Sequence, residues 1–433
     1  MTGRRGTALL TLGRLPVVLE LARSLRRLGW RTVVADPLAL HLARLSNAVD
    51  RSARVAAPAR DAERWLDDLA RLCAEEGADV VVPVSEEVAH LARIEAREGF
   101  DVPVLCPAPD DVMALHDKWR FARWAREAGL AVPATERCDA PAAEALAASV
   151  DHVVKPRLSS SGVGVRFGRA GDPLPVRDAS HLVQARLGPD ALSTCTLAAG
   201  GVPLVTAAYR ARLLSGSVAV RFESVAVPDE VRRTIETAAR ERRVDGAVSF
   251  DFLADADGRW RAIECNPRAT SGLHLMGGAA LDAALARCLE GLLGRDRAAG
   301  APSVASSEAP ADVAPGAALE IGPGRVRQEF WTSLTELQGR ALRGRVERAD
   351  WRALVATPDV TWSRADPWPW IGMTPASLPL LWRAIRRRRP ITEVTVEDVG
   401  LHGAVADASG RARGGGRDGV GGSDAGGEPE ARA

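Results

Sequence analysis

Lysine is almost absent from this chain. Of its 433 residues, 57 are lysine or arginine, and only Lys118 and Lys155 are lysines. The arginine side chain is bulky and planar, whereas lysine fits a narrow channel and places a compact positive charge on a phosphate. We therefore expect the two lysines to stand where arginine cannot serve. Two surface residues left by chance would fit the count equally well.

Other absences narrow the class of protein. The 56 acidic residues balance the 57 basic ones, so no overall charge favours nucleic acid or a membrane surface. The six cysteines form no CxxC pair and no Cys/His cluster with zinc spacing, which predicts buried free thiols in a reducing compartment. The chain also has no apolar run long enough to span a membrane and no recognisable signal peptide. These features predict a cytoplasmic globular protein that binds neither nucleic acid nor membranes.

Residues 7 to about 108 alternate short apolar runs with amphipathic helical patterns. Residues 7–12, 31–36 and 79–84 are predicted strands, and the alternation favours a parallel, doubly wound α/β sheet. A dinucleotide-binding turn would need three glycines after the first strand, and only Gly13 is present. A nicotinamide or flavin cofactor is therefore not expected.

The strongest chemical signal is a predicted β-hairpin. Asp257 and Gly258 separate two apolar runs, and Asp-Gly is typical of a two-residue hairpin turn. With that turn, counting back along both strands places Asp251 directly opposite Glu264. Opposed carboxylates repel each other, so this arrangement makes little structural sense unless a cation lies between them.

Further residues of the hairpin complete the pattern. Side chains two residues apart share one face of a strand, so Asn266 and Arg268 should join Glu264. Ile263 and Cys265 should face the core. Two carboxylates and an amide oxygen suit Mg²⁺ or Mn²⁺. The alternative is a solvated polar face on an edge hairpin, and the two lysines favour the metal site.

The second lysine is followed by a loop of small residues. Lys155 ends the apolar run HVVKP, and RLSSSGVGV comes next. Successive backbone amides in such a loop can surround phosphate oxygens. Lys155 and this loop therefore predict a phosphate site.

Together these features resemble the ATP-grasp superfamily. The resemblance rests on the two lysines, the Ser/Gly loop, a hinge containing glutamine (LVQARLG, 182–188) and the final D…ExNPR pattern, and it covers residues 1 to about 290. The most similar members are proteins like the carbamoyl phosphate synthase large subunit and the carboxylate–amine ligases. The resemblance implies an ATP-grasp fold preceded by a Rossmann-like domain and followed by a small, mostly helical unit. The predicted segments are a pre-ATP-grasp domain (1–109), a first lobe (110–180), a second lobe with the metal site (181–294), a linker (295–318), a Trp-rich unit (319–404) and a disordered tail (405–433).

The resemblance also implies roles for individual residues. The residues expected to bind ATP are Lys118, Lys155, Ser159, Ser160, Ser161, Gly162, Gly164, Val183, Gln184 and Asp190. The residues expected to hold Mg²⁺ (or Mn²⁺) are Asp251, Glu264 and Asn266. Arg268 and Lys155 are the expected catalytic residues, with Arg268 steadying the transferred phosphoryl group or the acyl phosphate.

Three residues are candidates for substrate binding. Arg210 and Arg212 should share a strand face and could clamp a carboxylate, although surface arginines are common in this chain. His274 follows the hairpin closely and could reach the substrate, or it could be a structural histidine in an apolar setting.

The C-terminal unit holds six of the eleven tryptophans. A compact aromatic core is the first interpretation, and a lid, a partner surface or a dimer surface is the alternative. The arginines at 386–389 are expected to form a solvated helix end, with docking of an acidic carrier protein as the weaker alternative.

The expected function is an ATP-dependent, ADP-forming ligase that activates a carboxylate as an acyl phosphate and joins it to an amine. The expected partners are a small-molecule carboxylate and amine, and a homodimer would be consistent with the resemblance. Two alternatives stay open: a carboxylase or carbamoyl transferase that acts through carboxyphosphate, and a non-catalytic ATP-binding sensor.

Overall fold

The computed structural model describes residues 5–91, 94, 100–159, 162–300, 318–389 and 391–401. Ser160, Ser161, most of the predicted linker and the predicted tail lie outside the described residues, and the predicted domain boundaries stay predictions. Within the described parts of the chain, no helix is long and apolar enough to cross a membrane.

The first part of the chain forms a parallel sheet. Its elements are β1 (Thr7–Thr11), α1 (Pro16–Arg27), β2 (Arg31–Asp36), a 3-10 turn (Leu42–Leu45), β3 (Arg51–Arg54), α2 (Ala62–Glu76), β4 (Val80–Val82) and α3 (Val88–Leu91). The strand order is β3-β2-β1-β4, and all three pairings are parallel. The side chain of Asp61 caps the start of α2, and Gly77 ends it at φ 59°. The predicted parallel α/β sheet is confirmed.

The next part forms a small antiparallel sheet. Its elements are α4 (Pro109–His116), α5 (Lys118–Glu127), β5 (Thr135–Arg137), α6 (Pro141–Ser149), β6 (His152–Pro156), β7 (Arg166–Gly168) and β8 (His181–Ala185). The strand order is β5-β8-β6-β7. Asp117 has an extended backbone between α4 and α5, and its side chain accepts hydrogen bonds from the amides of Trp119 and Arg120. This stretch therefore forms two helices instead of one, because Asp117 ends α4 and caps α5.

The third part supplies most of the large sheet. Its elements are β9 (Ala191–Ala199), β10 (Val202–Ser215), β11 (Val218–Val225), α7 (Asp229–Glu241), β12 (Gly246–Ala254), β13 (Trp260–Asn266), α8 (Leu273–Met276) and α9 (Gly278–Gly300). Helix α9 continues into the first residues of the predicted linker. Along β12, Phe250 and Phe252 pack with residues of α5 and α7. Because side chains alternate along a strand, Asp251 faces the other side of the sheet.

The C-terminal segment adds strands to the large sheet and contacts the first, parallel sheet. Its elements are β14 (Leu319–Glu320), β15 (Val326–Gln328), α10 (Phe330–Ala341), α11 (Arg348–Ala356), α12 (Trp368–Ile371), α13 (Met373–Arg387) and α14 (Ile391–Val396). The large sheet has the order β13-β12-β9-β10-β11-β15, and β14 pairs with β10. Asp398 forms a buried ion pair with Arg14, which follows β1, at 2.8 Å.

The tryptophans of this segment are divided between core and surface. The rings of Trp331 and Trp370 lie 5.5 Å apart, and Phe330 packs against both. Trp368 and Trp382 are more than half exposed. The predicted aromatic core therefore accounts for only part of the set.

The hairpin of β12 and β13 differs from the prediction in its turn. The predicted two-residue turn is wrong: residues 256–258 form a three-residue loop closed by a hydrogen bond from the Asp255 amide to the Arg259 carbonyl, with Gly258 at φ 76°. One extra residue, Ile263, bulges from β13 because Asp251 pairs with Glu264 whereas Phe252 pairs with Ala262. The two offsets cancel, so Asp251 still lies opposite Glu264.

The bulge changes which residue of β13 enters the core. Ala262, rather than the predicted Ile263, is buried with Phe250 and Phe252, and Cys265 joins them as predicted. Ile263 instead presents its carbonyl oxygen to the Nζ of Lys155.

The hairpin loop offers a test of its backbone conformation. A Gly258→Ala substitution should lower the free energy of unfolding by about 1 kcal/mol, because an L side chain is strained at positive φ. No atom would clash with the added Cβ, so strain alone would act. Urea unfolding followed by circular dichroism measures the change. Gly294→Ala in α9, where the added Cβ is equally free of contacts, is the control and should not be destabilising.

Candidate functional site

The two predicted acids face each other across the hairpin. Asp251 pairs with Glu264 in the ladder, accepts a 2.6 Å hydrogen bond from the Ser193 hydroxyl and accepts another of 3.1 Å from the Asn266 amide. Burial and the negative charge of Glu264 raise the pKa of Asp251. The structure therefore brings all three predicted metal ligands together.

Both lysines reach this cluster from the small sheet and its helices. The Nζ of Lys118 lies 3.3 Å from Glu264 Oε2 and donates a hydrogen bond to the Ser159 carbonyl. The Nζ of Lys155 donates to the Ile263 carbonyl at 3.2 Å. Burial alone would raise the pKa of Glu264, but the two ammonium groups lower it. Burial lowers the pKa of Lys155 to about 8, an effect that Glu264 opposes.

The position of Lys118 depends on the break between α4 and α5. Lys118 is the first residue of α5, and Asp117 caps this helix. Asp117 also accepts hydrogen bonds from Arg157, one of them 3.1 Å long, and the Lys118 amide donates to the Arg157 carbonyl. The segment that follows β6 is thereby attached to the start of α5, so the two lysines approach the acids from one side.

Arg268 makes a contact that the sequence did not predict. Its Nε donates to Glu86 Oε1 at 2.9 Å, and the same carboxylate lies 3.3 Å from the Nε2 of His116. Glu86 is only 3% exposed. Burial would raise its pKa, but Arg268 and His116 lower it to about 2. Arg268 also contacts the Asn266 amide oxygen at 3.4 Å, which joins it to the predicted metal ligands.

A signal for Glu86 was present in the sequence. It belongs to the run Ser85-Glu86-Glu87, which follows the buried strand β4 after Pro83 and Val84. Ligand sites in parallel α/β sheets lie beyond the carboxyl ends of the strands, so acids at this place are candidates for the functional site. Its partner could not be read from the pattern, because 182 residues separate Glu86 from Arg268.

In the described part of the predicted phosphate loop, two glycines adopt backbone conformations that other residues rarely adopt. Gly162 and Gly164 have φ angles of 67° and 79°, which glycine adopts without strain. A Cβ on Gly164 would lie 2.8 Å from the ring of Pro156. Ser159 is half-buried, and its carbonyl oxygen accepts the bond from Lys118.

The hinge residues that were predicted to bind the nucleotide are less well placed for that role. Val183 and Gln184 lie in β8, between β5 and β6, so their backbone groups face neighbouring strands. The Gln184 side chain donates to the Thr135 hydroxyl. The geometry therefore does not favour adenine binding by this backbone. Asp190 is exposed, its carbonyl oxygen accepts the Ala254 amide, and its role with ribose stays a prediction.

The two candidate arginines do not form a clamp in this structure. Arg210 stacks on the ring of Trp260 at 5.4 Å, and Arg212 forms a 2.5 Å ion pair with Glu223. The ladder of β10 and β11 is irregular between Ala211 and Leu213, so Arg212 lies at a bulge. Trp260 packs with the cluster of Phe250 and Phe252, on the face opposite the acids.

His274 is buried and lies 3.4 Å from Glu20 of α1. Its ring also packs near Phe222, with 6.4 Å between the ring centres. These contacts favour the structural interpretation of His274 over contact with a substrate.

The two acids do not form a complete metal site by themselves. Among the described residues, no group of three or more His, Cys, Asp and Glu side chains could hold a metal ion. The predicted set has two carboxylates and one amide, all oxygen ligands, as Mg²⁺ prefers. It fits a divalent ion that is also bound by the phosphates of a nucleotide, and it does not fit a metal held by protein alone.

Comparison with known proteins identifies the fold. Residues 115–272 match the sequence profile of the ATP-grasp domain. N5-carboxyaminoimidazole synthetase from Staphylococcus aureus, complexed with ADP, is similar to this chain with a TM-score of 0.53 and 15% identity, covering 67% of this chain and 78% of that chain. The biotin carboxylase-β,γ-ATP complex from Campylobacter jejuni has a TM-score of 0.53 and 16% identity, covering 69% and 72%. No curated protein is significantly similar to this chain.

The profile match contains both lysines, both acids, Asn266 and Arg268. Residues 115–272 are therefore an ATP-grasp domain, and the predicted resemblance and fold class are confirmed. The parallel sheet that precedes this domain supplies Glu86 to its site.

The contact between Glu86 and Arg268 can be tested by its effect on stability. Glu86→Gln should lower the free energy of unfolding at neutral pH by about 3 kcal/mol, because it leaves a buried guanidinium without its counter-charge. The pKa of Glu86 is lower in the folded chain than in the unfolded one, so its contribution is complete above the ordinary carboxyl range and is lost as pH falls toward 2. The difference between wild type and variant should therefore shrink in acid.

Urea unfolding at several pH values measures this effect. Glu127→Gln is the matched control, because Glu127 is exposed and its ion pair with Arg123 is 3.8 Å long. Equal stability of Glu86→Gln and Glu127→Gln at neutral pH would contradict the prediction.

Proposed function

We propose that this protein is an ATP-dependent ligase that forms ADP, activates a carboxylate as an acyl phosphate and joins it to an amine. One observation carries the proposal: an ATP-grasp domain in which two opposed acids, an amide and a guanidinium lie beside the only two lysines of the chain. The likeness to the solved structures supports the fold alone.

The lysines are the groups proposed to receive the nucleotide. Without phosphates, Lys118 contacts Glu264 and Lys155 is buried close by. In the ATP complex, both ammonium groups would contact the phosphates of the triphosphate and neutralise part of their charge. The backbone amides around Gly162 and Gly164 are proposed to contact the terminal phosphates, since loops of this kind bind anions.

The acids and the amide fit the divalent cation that accompanies ATP. Asp251, Glu264 and Asn266 would hold Mg²⁺, which would neutralise the developing charge on the phosphates. The opposed placement of Asp251 and Glu264 supports this assignment, because a cation between two carboxylates offsets their repulsion.

A carboxylate needs activation before an amine can displace one of its oxygens, because oxide is a poor leaving group. A carboxylate oxygen of the substrate attacks the γ-phosphorus, the bond to the β-phosphate oxygen breaks, and ADP leaves. Phosphoryl transfer depends mainly on alignment and on neutralisation of charge. Lys155 is proposed to supply both, because its ammonium is held in one direction by the Ile263 carbonyl.

The amine then attacks the acyl carbon, phosphate leaves, and the amine proton passes to solvent or to the departing phosphate. Arg268 is proposed to stabilise the oxyanion of the tetrahedral intermediate. Its contact with Glu86 would fix the direction of the guanidinium while lowering its net charge. The acyl phosphate must be kept from water until the amine arrives, and the loop after Lys155 is proposed to cover it.

The reaction can be tested without knowledge of the natural substrate. Purified protein, Mg²⁺ and ATP should release ADP faster when a suitable carboxylate is present, and hydroxylamine should trap the acyl phosphate as a hydroxamate. A panel of carboxylates that includes bicarbonate, each with and without amines, distinguishes the alternatives. Stimulation by bicarbonate alone would favour the carboxyphosphate reaction. Tight ATP binding without ADP release on any pair would favour the sensor.

Two conservative substitutions test the roles of individual residues. Lys155→Arg and Glu264→Gln should each lower the rate of ADP release at least about 100-fold, because they disturb charge placed at the transferred phosphoryl group. Glu236→Gln, on the exposed surface of α7, is the control for Glu264→Gln and should leave the rate unchanged. Full activity in either site variant would contradict the assignment.

A further inference from the structure

Helix α13 carries apolar side chains on two opposite faces. Ala376, Leu380 and Ala384 are buried, and Leu380 and Ala384 pack against Leu38, which follows β2, and Val394 of α14. A second apolar stripe points outward and is 42–70% exposed. Its members are Leu378, Leu381, Trp382 and Ile385. This spacing of three and four residues places all four on one face of the helix. The outward face is therefore not explained by packing within the described chain.

Exposed apolar side chains are concentrated in the segment that contains the stripe. Sixteen large apolar side chains are exposed among the described residues, and seven of them lie between Trp362 and Ile385. Besides the stripe, this set contains Trp362, Trp368 and Ile371. Only Gly372 separates α12 from α13, so Trp368 and Ile371 lie on the helix directly before the one that carries the stripe. Such clustering marks an interaction surface, whereas single exposed apolar residues are ordinary.

Two arginine-lined cavities lie beside the stripe. The smaller one, of about 530 Å³, is lined by Arg60, Trp382, Arg383, Arg386 and Arg387 and by no acidic residue. The larger one, of about 600 Å³, shares Arg60 and Arg383 with it. Its other lining arginines are Arg54, Arg64 and Arg71, against the acids Asp61, Asp68 and Asp398. Both cavities therefore have more basic than acidic side chains.

Part of this positive charge is not neutralised within the chain. Arg383 contacts Asp398 at 3.5 Å, and Arg387 pairs with Glu397. Arg386 stacks on the ring of Trp382 and forms no ion pair with any acid in the described parts of the chain. The side chain of Arg60 makes no hydrogen bond or ion pair with any of the residues that the structure describes. The cavities can thus accept anionic groups at the edge of the apolar stripe.

We propose that this surface, formed by α12, α13 and the two cavities, binds the face of a lipid bilayer that contains anionic lipids. The stripe would enter the boundary between headgroups and acyl chains. Arginine side chains would contact lipid phosphates, two of which fit the cavities. A helix with leucine, isoleucine and tryptophan on one side and arginine beside them is typical of binding in the membrane interface.

The geometry favours a membrane over a second copy of the chain. A symmetric dimer through this surface would place the same patch on both sides of the interface. This patch has more arginines than acids, so its net positive charge would meet the same net charge, which opposes association. The apolar side chains also project from an exposed helix instead of lining a groove. Side chains placed in this way can insert into a lipid bilayer.

This proposal departs from the expectation drawn from net charge. The whole chain has a formal charge of +1, which gives no reason to expect membrane binding. Local charge is what acts at a surface, because fields from distant residues are screened within about 10 Å at moderate ionic strength. The inference is independent of the proposed ligase activity.

Vesicle sedimentation with the full chain tests the proposal. The protein should sediment with vesicles of phosphatidylcholine and phosphatidylglycerol at physiological ionic strength, and at least about tenfold less with phosphatidylcholine alone. Binding should weaken as salt increases. Absence of binding to the anionic vesicles, or equal binding to both compositions, would overturn the proposal.

Two double variants attribute the binding to this surface. Trp382→Ser with Ile385→Ser removes the centre of the stripe, and Arg386→Gln with Arg387→Gln removes charge. Each should weaken vesicle binding at least about tenfold. Leu342→Ser with Val355→Ser is the apolar control, because these side chains are 91% and 82% exposed elsewhere. Arg123→Gln with Arg233→Gln is the charge control, and both controls should bind as wild type does.

Melting temperatures and ADP release check that each variant is folded. Wild-type binding by both double variants would overturn the proposal. So would self-association that depends on Trp382 and Ile385 in a protein that ignores vesicles, since a second copy would then be the occupant. Binding of poly-glutamate as tight as that of anionic vesicles, and equally sensitive to the arginine substitutions, would indicate an acidic protein partner instead.

Discussion

The buried contact between Glu86 and Arg268 is the interaction on which the site depends. Two charges are removed from water there, and each is tolerable only because the other is present. Glu86 comes from the parallel sheet and Arg268 from the end of the hairpin strand, so the contact joins the first part of the chain to the acids. Glu264 is likewise stabilised by an opposite charge, because it forms an ion pair with Lys118. The site is assembled from opposite charges that arrive from three sheets.

The sequence predicted the chemistry of the hairpin better than its shape. Asp251 and Glu264 are opposed as expected, but the expected two-residue turn has three residues and β13 contains a bulge. The Asp-Gly pair indicates a turn without deciding its length, because Gly258 also suits the left-handed position of the longer loop. The local sequence pattern therefore identified the opposed acids. It could not determine the length of the turn to within one residue.

Contacts across long stretches of chain were not predictable. Nothing near Glu86 identifies Arg268 as its partner, and nothing near Arg210 indicates that it stacks on Trp260. The ion pair of Arg14 with Asp398 joins residues 384 positions apart. Such pairs follow from the packing of whole sheets, whereas the fold class follows from local alternation of strands and helices. This is why the ATP-grasp resemblance was confirmed, whereas the contacts that Arg210 and Arg212 make were not foreseen.

The return of the C-terminal segment has a consequence for solubility during biosynthesis. Strand β15 pairs with residues 221–223 of β11, at the edge of the large sheet opposite β13. Until Val326–Gln328 has been synthesised and docked, β11 presents unpaired amides and carbonyls. An uncovered strand of this kind is a template for pairing between molecules. A nascent or shortened chain that stops before Val326 is thus exposed to aggregation, even though every residue of the ATP-grasp domain is already present.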